Sequence, residues 1–132
     1  MHSNVPRVKV ISSEGVPTSH LPFSPPLQVD DWVFVSGQAS VDAAGQIVHD
    51  TFEGEFRRSM DNLKAVLQGA GLELRHVVQL RSYVDSPKDL PEYNRLYREY
   101  FSEPFPARTT LVGCLGGTIK YEVDVTAYTK KR

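Results

Sequence analysis

The stretch KYEVDVTAY, residues 120–128, alternates apolar and polar side chains along its whole length. Alternation with a period of two predicts a β-strand that buries one face and leaves the other polar. The side chains predicted to share the buried face are Tyr121, Val123, Val125 and Ala127. Those predicted to share the polar face are Glu122, Asp124, Thr126 and Tyr128. A strand of this length needs a packed layer on its apolar side, so the fold is expected to contain a sheet covered on at least one face.

Further segments with strand character occur earlier in the chain, at residues 7–12, 27–29, 32–37, 76–84 and 109–115. The Asp30-Asp31 pair predicts a hairpin turn between the second and third of these segments, and Gly37 is expected to end the third. In segment 76–84 the alternation assigns Val78, Leu80 and Val84 to one face and Val77, Gln79, Arg81 and Tyr83 to the other. This segment therefore offers apolar side chains on both faces.

Two helices are predicted between the strands, because apolar residues recur there at spacings of three and four. The first stripe consists of Phe52, Phe56, Met60, Leu63, Leu67 and Ala70, and the second of Leu90, Tyr93, Leu96, Tyr97, Tyr100 and Phe101. Asp50 or Thr51 can cap the first helix and Gly71 can end it. Pro104 and Pro106 prevent the second from continuing.

The main elements follow the order ββ, helix, β, helix, ββ, which predicts a single α+β domain over residues 1–132. Two helices can cover only one face of such a sheet. The second face is therefore expected to pack against another copy of the chain, which predicts a homo-oligomer.

Composition and charge argue against several classes of function. The formal net charge is -1, and no basic block occurs apart from the terminal KKR, so no nucleic-acid partner is expected. No apolar run resembles a signal peptide or a membrane span, so a cytoplasmic protein without membrane contact is predicted. Cys114 is the only cysteine and is expected to be a small buried residue. The four histidines show no metal-ligand spacing, so no metal is predicted.

Three polar residues near the strands could carry chemistry, although each also has an ordinary structural explanation. Arg108 follows the rigid Pro106-Ala107 pair and could grip a carboxylate with both arms of its guanidinium, or it could be a solvated charge at a strand edge. Glu122 and Asp124 share one face, where one of them could orient a water, or both could belong to a solvent-facing strand.

Five motifs in register resemble the Rid/YjgF family of reactive-intermediate (enamine/imine) deaminases. They are VSGQ at 35–38, NLKAVLQGAG at 62–71, YNRLYREYF at 93–101, PAR at 106–108 and YEVDVTA at 121–127. The resemblance covers almost the whole chain. It implies a chorismate mutase-like, RidA-like α+β domain with a mostly antiparallel six-stranded sheet and two helices packed on one face, assembled as a homotrimer with intersubunit ligand sites.

The resemblance also implies a cofactor-independent activity similar to 2-iminobutanoate/2-iminopropanoate deaminase. The substrates would be 2-imino acids or enamines such as 2-aminoacrylate or 2-iminobutyrate, and the products a 2-keto acid and ammonia. By the family pattern Arg108 binds the substrate carboxylate and Glu122 orients or activates water. Gly37 matches a backbone contact in the cleft, and Thr110 would present its backbone N–H to the ligand. Asp124 matches a second acidic position for which no catalytic role is inferred.

The chain departs from the family pattern at the site loop, which often reads Pro-Tyr-Ser-Gln and here reads Pro22-Phe23-Ser24-Pro25. Phe23 would make the wall of the binding cleft more apolar. Two alternatives to the small imino-acid deaminase therefore stay open. One is a pathway-specific deaminase for a larger, aminomuconate-like enamine, and the other is a non-catalytic trimeric module that binds small acids.

Overall fold

The computed structural model describes residues 8–11 and 25–130 and contains one six-stranded sheet with two α-helices. The strands are β1 (Val8–Val10), β2 (Leu27–Val29), β3 (Trp32–Ala39), β4 (Val77–Val84), β5 (Ala107–Val112) and β6 (Tyr121–Tyr128). The helices are α1 (Phe52–Gly69) and α2 (Leu90–Tyr100), and short 3₁₀ turns at Leu74–His76 and Pro87–Asp89 precede β4 and α2. The predicted α+β class is confirmed.

The sheet has the order β1-β2-β3-β6-β4-β5, which places β6 in its interior and β5 at one edge. All neighbouring strands are antiparallel except β4 and β5, which are parallel. The alternation predicted for β6 is confirmed, because Tyr121 and Val123 are fully buried while Glu122 and Asp124 are half-buried on the opposite face. We call the face with Tyr121 and Val123 the helix face and the face with Glu122 the second face.

Both helices pack on the helix face and form the core with it. Thr51 caps α1 by accepting a hydrogen bond from the backbone N–H of Gly54, and Gly71 follows the helix with a φ of 74°. The rings of Phe56, Tyr93 and Tyr121 lie within 6.2 Å of one another and join the two helices to β6. Among the described residues no helix is long and apolar enough to cross a membrane.

Two strand predictions were wrong because β-bulges change the parity of the alternation. The register between β4 and β6 shifts between Val77 and Gln79, so Val77 pairs with Ala127 and is buried on the helix face rather than on the second face. A similar shift between Val35 and Gln38 lets β3 run through Gly37 to Ala39 instead of ending at the glycine. The position of a bulge depends on the partner strand and is invisible in one strand alone.

The exposed apolar side chains of the second face come mainly from β1 and β3, although Tyr83 of β4 also lies on this face, where it pairs with Glu122. Val8, Trp32 and Phe34 are 57%, 42% and 45% exposed, and the register places all three on the face opposite the helices. The predicted apolar second face is thus present; of the β4 residues assigned to it, Tyr83 lies there and Val77 does not. Cys114 is exposed in the connection between β5 and β6, so the expectation of a buried cysteine was also wrong.

Candidate functional site

Arg108 lies on β5, the edge strand, and its side chain points toward the helix face. Arg108 pairs with the buried Leu80 of β4, and paired residues share a face. Its guanidinium carbon lies 5.0 Å from the ring centroid of Tyr93 and 4.8 Å from that of Tyr97, both on α2. Cation–π contacts at these distances are worth about 0.5–1 kcal/mol each at exposed sites. The two rings therefore orient a charge that no carboxylate among the described residues neutralises.

A surface pocket of about 230 Å³ adjoins this guanidinium. It is lined by Asn94, Tyr97, Arg98, Phe105, Pro106 and Arg108. Tyr97 is 4% exposed, and its hydroxyl has no hydrogen-bond partner within the described part of the chain. Burial raises the pKa of Tyr97 to about 12, so the hydroxyl is a neutral donor at physiological pH. The wall of the pocket thus combines cationic, aromatic and amide groups.

Thr110 lies two residues beyond Arg108 on the same face of β5. Its hydroxyl lies 3.3 Å from the hydroxyl of Tyr93, which links the edge strand to α2 beside the guanidinium. An edge strand has backbone N–H groups that no neighbouring strand binds. The predicted donation from the Thr110 N–H to a ligand would require that this N–H is one of them. That donation remains a prediction.

Glu122 lies on the second face, directly over Gly37. A side-chain carbon built on Gly37 would overlap the Glu122 carboxylate and lie 3.0 Å from its Cδ, so only glycine leaves the carboxylate in this place. Burial, and to a lesser degree the neighbouring Asp124, raise the pKa of Glu122 above its usual value. No hydrogen bond or ion pair to this carboxylate is found within residues 8–11 and 25–130. Glu122 is thus placed to exchange a proton.

Asp124, the other acidic residue of this face, is fully engaged in the structure. Its Oδ1 accepts from Nε of Arg81 at 2.9 Å, and its Oδ2 accepts from the Tyr83 hydroxyl at 2.6 Å. Both carboxylate oxygens of Asp124 therefore accept hydrogen bonds from β4, whereas the Glu122 carboxylate accepts none from the described residues and can contact a ligand. The alternation of the strand alone could not make this distinction, because both residues occupy equivalent positions in it, whereas the family resemblance had already favoured Glu122.

The structure brings the predicted site residues together as two half-sites rather than one. Arg108 and Thr110 form the first, at the helix-face side of the edge strand. Gly37 and Glu122 form the second, on the opposite face, and β4 lies between the strands that carry Arg108 and Glu122. One small ligand cannot contact both half-sites of the same chain through a hydrogen-bonded sheet. Phe23, the remaining predicted contact, lies outside the described residues.

Sequence reasoning missed the part that α2 plays in the site. Tyr93 and Tyr97 belong to the apolar stripe of the helix and were assigned to the core, which both also occupy. The faces of the two rings turn toward Arg108 because α2 packs on β5. No pattern within the helix sequence indicates this contact. No group of three or more His, Cys, Asp or Glu side chains suited to a metal ion occurs in the described part of the chain.

Comparison with known proteins gives consistent matches along the chain. The profile of a family described as Endoribonuclease L-PSP matches residues 14–129. A RutC family protein of Saccharolobus solfataricus is 36% identical over 121 residues, which cover 90% of this chain and 96% of the relative. A Mus musculus protein named 2-iminobutanoate/2-iminopropanoate deaminase is 31% identical over 121 residues, which cover 90% of each chain. The crystal structure of the YjgF gene product from E. coli matches with a TM-score of 0.81 at 28% identity, over 92% of this chain and 99% of the other.

Proposed function

The chain belongs to the endoribonuclease L-PSP family, which includes the YjgF and Rid proteins, and on this premise we propose that it is a cofactor-independent deaminase of 2-imino acids and their enamine tautomers. Water adds across the C=N bond, the amine leaves as ammonia, and a 2-keto acid remains. Relatives about 30% identical bear the name of such a deaminase, which supports the reaction class.

The observation that carries the proposal is the guanidinium of Arg108, which forms no ion pair within the described residues and lies over two tyrosine rings beside a pocket. A planar guanidinium can bind both oxygens of a carboxylate at once, which fixes the orientation of the attached imine carbon. An imine carbon is already electrophilic, so orientation supplies much of what the reaction needs.

Glu122 supplies the proton transfers in this proposal. Its carboxylate takes a proton from the attacking water and passes it to the imine nitrogen, which gives the tetrahedral carbinolamine. It then takes the hydroxyl proton of this intermediate and passes it to the nitrogen, so that ammonia leaves as the C=O bond of the keto acid forms. A raised pKa suits both roles, because the acid and its conjugate base are then closer in energy near the working pH. Gly37 leaves room for this carboxylate and for backbone contact with the ligand.

We further propose that the working protein is a homotrimer with its sites between subunits. The opposed positions of Arg108 and Glu122 favour this arrangement, because a second copy can present its own Glu122 to the Arg108 of the first. The exposed Trp32 and Phe34 on the second face favour burial against such a copy.

We propose a small-molecule substrate rather than RNA, although the family bears the name of an endoribonuclease. The formal net charge of -1 gives little general attraction to a polyanion. The Arg108 pocket is concave and mixes aromatic and polar walls, as sites for small ligands do.

The decisive experiment measures keto-acid and ammonia release from enzymatically generated 2-iminobutyrate, with the spontaneous rate subtracted. We expect Arg108→Ala to lose about 10- to 150-fold in kcat/KM, the equivalent of a charge-assisted hydrogen bond of about 1.5–3 kcal/mol. Arg108→Lys should be nearly as impaired, because a point charge cannot reproduce the planar fork. Arg95→Ala is the matched control. It removes an exposed, ion-paired arginine of α2 and should behave as wild type. No acceleration by the wild type would refute the deaminase, and binding of 2-oxobutanoate without turnover would instead identify an acid-binding module.

A further inference from the structure

The arginines of the described residues fall into two groups by their partners. Seven arginines are described, and five of them form ion pairs with carboxylates, namely Arg57, Arg58, Arg75, Arg81 and Arg95. Only Arg98 and Arg108 form no ion pair within the described part of the chain. Carboxylates do occur on α2, where Glu92 and Glu99 pair with Arg95, whereas the residues that line the pocket include none.

Both unpaired arginines line the same pocket. Arg98 stands on α2, one residue after Tyr97, whose ring lies against the Arg108 guanidinium. One nitrogen of Arg98, Nη1, donates to the backbone oxygen of Asn94 at 3.2 Å, which fixes the side chain along the helix. A guanidinium carries five N–H donors, so most of those on Arg98 remain available to a ligand.

The proposed function uses only one of these two charges, because a simple imino acid has one carboxylate and Arg108 binds it. Two cations that line one pocket of about 230 Å³ repel each other, and a ligand with two anionic groups would relieve that repulsion more fully than a ligand with one. The volume lies below the roughly 300–1,000 Å³ of pockets for drug-sized ligands, so a small acid is indicated. Phe105 and Pro106 contribute apolar wall, as a short carbon chain between two charged ends would need.

We propose that the pocket selects imino acids that carry a second carboxylate, with Arg108 binding the carboxylate next to the imine and Arg98 the distal one. Arg98 is then a specificity-determining residue, and the preferred substrates are imines or enamines of dicarboxylic acids. This inference rests on the proposed function for its chemistry, whereas the binding preference itself can be measured without turnover.

The test is calorimetric titration of the purified full chain with two keto acids that correspond to the products, 2-oxoglutarate with two carboxylates and 2-oxobutanoate with one. We expect the wild type to bind 2-oxoglutarate about tenfold more tightly, which corresponds to about 1.4 kcal/mol. Arg98→Ala should abolish that preference, because the affinity for 2-oxoglutarate should fall about tenfold and that for 2-oxobutanoate much less. Arg95→Ala removes the same charge from the same helix outside the pocket, and it should preserve the preference.

Equal affinities of the wild type for the two acids would overturn the inference. An equal loss for both acids in Arg98→Ala, or the same loss of preference in Arg95→Ala, would overturn it as well, because general attraction would then explain the effect. The failure of the proposed function has a different signature. If 2-iminobutyrate is hydrolysed but the dicarboxylate shows no advantage, only this inference fails. If no imine is hydrolysed but the Arg98-dependent preference is present, the deaminase fails and the pocket stands.

Discussion

Two variants that each lack one half-site are expected to restore activity when their subunits assemble together. Arg108→Ala removes the cation beside α2, and Glu122→Gln removes the base on the second face. The sheet separates these side chains within one chain, so the proposed trimer would form a complete site with Arg108 from one copy and Glu122 from another. A mixed trimer can contain such a pair although neither variant has it alone.

The size of the recovery follows from the geometry of a cyclic trimer. An interface works only if the subunit that contributes Arg108 is the Glu122→Gln variant and its neighbour is the Arg108→Ala variant. In every cyclic trimer that contains both variants this happens at one of the three interfaces, so about one third of the sites are restored. Alone, Arg108→Ala should keep about a tenth of wild-type kcat/KM or less, and Glu122→Gln about a hundredth or less. The mixture should therefore exceed the mean of the two variants several-fold.

The assay coexpresses the two variants with different affinity tags, purifies assemblies that carry both, and measures keto-acid release above the spontaneous rate. The matched control coexpresses wild type with the double variant. Purified mixed trimers of that control should retain about one sixth of their sites if each site is shared, because only trimers with two wild-type subunits keep one intact interface, and about one half if each chain holds a complete site. A mixed assembly no faster than the mean of its two variants, together with one-half retention in the control, would refute the two-subunit site.

Four further predictions concern Gly37, the pH dependence of activity, the stability effect of Glu122 and the buried Glu55. Gly37→Ala should lower kcat and leave the unfolding temperature nearly unchanged, because the added carbon displaces the flexible end of Glu122 rather than backbone; normal turnover would contradict this. The raised pKa of Glu122 should place the acid limb of the kcat/KM profile above pH 4.5, and Glu122→Gln should remove the limb. Because the folded state favours protonated Glu122, this residue contributes to the free energy of unfolding at low pH, and the contribution is lost as pH rises through the folded pKa. A salt-bridged acid would show the opposite pH dependence of stability. Thermal melts at neutral pH should therefore show Glu122→Gln unfolding at a higher temperature than wild type, and a lower temperature would count against the burial argument. Glu55→Ala should lower the free energy of unfolding by about 1–3 kcal/mol for each backbone N–H that it strands, those of Asp50 and Lys120, whereas urea unfolding of Lys120→Ala should show a much smaller loss.

Local pattern predicted the elements of this fold well. The stripes of both helices, the Thr51 cap and the alternation of β6 were all readable, because they depend on residues close together in the chain. The same patterns also led to two errors, at Val77 and Gly37, where a bulge shifts the parity of the strand. A bulge forms between two strands, so neither strand shows it alone.

The sequence by itself determined which residue types are available for chemistry: one arginine after a rigid Pro-Ala pair, two acidic residues on one strand face, and a glycine at the predicted end of a strand. Only the tertiary structure decided how they are used. The hydrogen bonds from Arg81 and Tyr83 occupy Asp124 and leave Glu122 available, and packing of α2 against β5 gives Arg108 its aromatic support. Alternation fixes which residues of one strand share a face, but only pairing through the whole sheet relates the faces of different strands. For that reason the opposed positions of Arg108 and Glu122, on which the two-subunit site depends, could not be foreseen from the sequence.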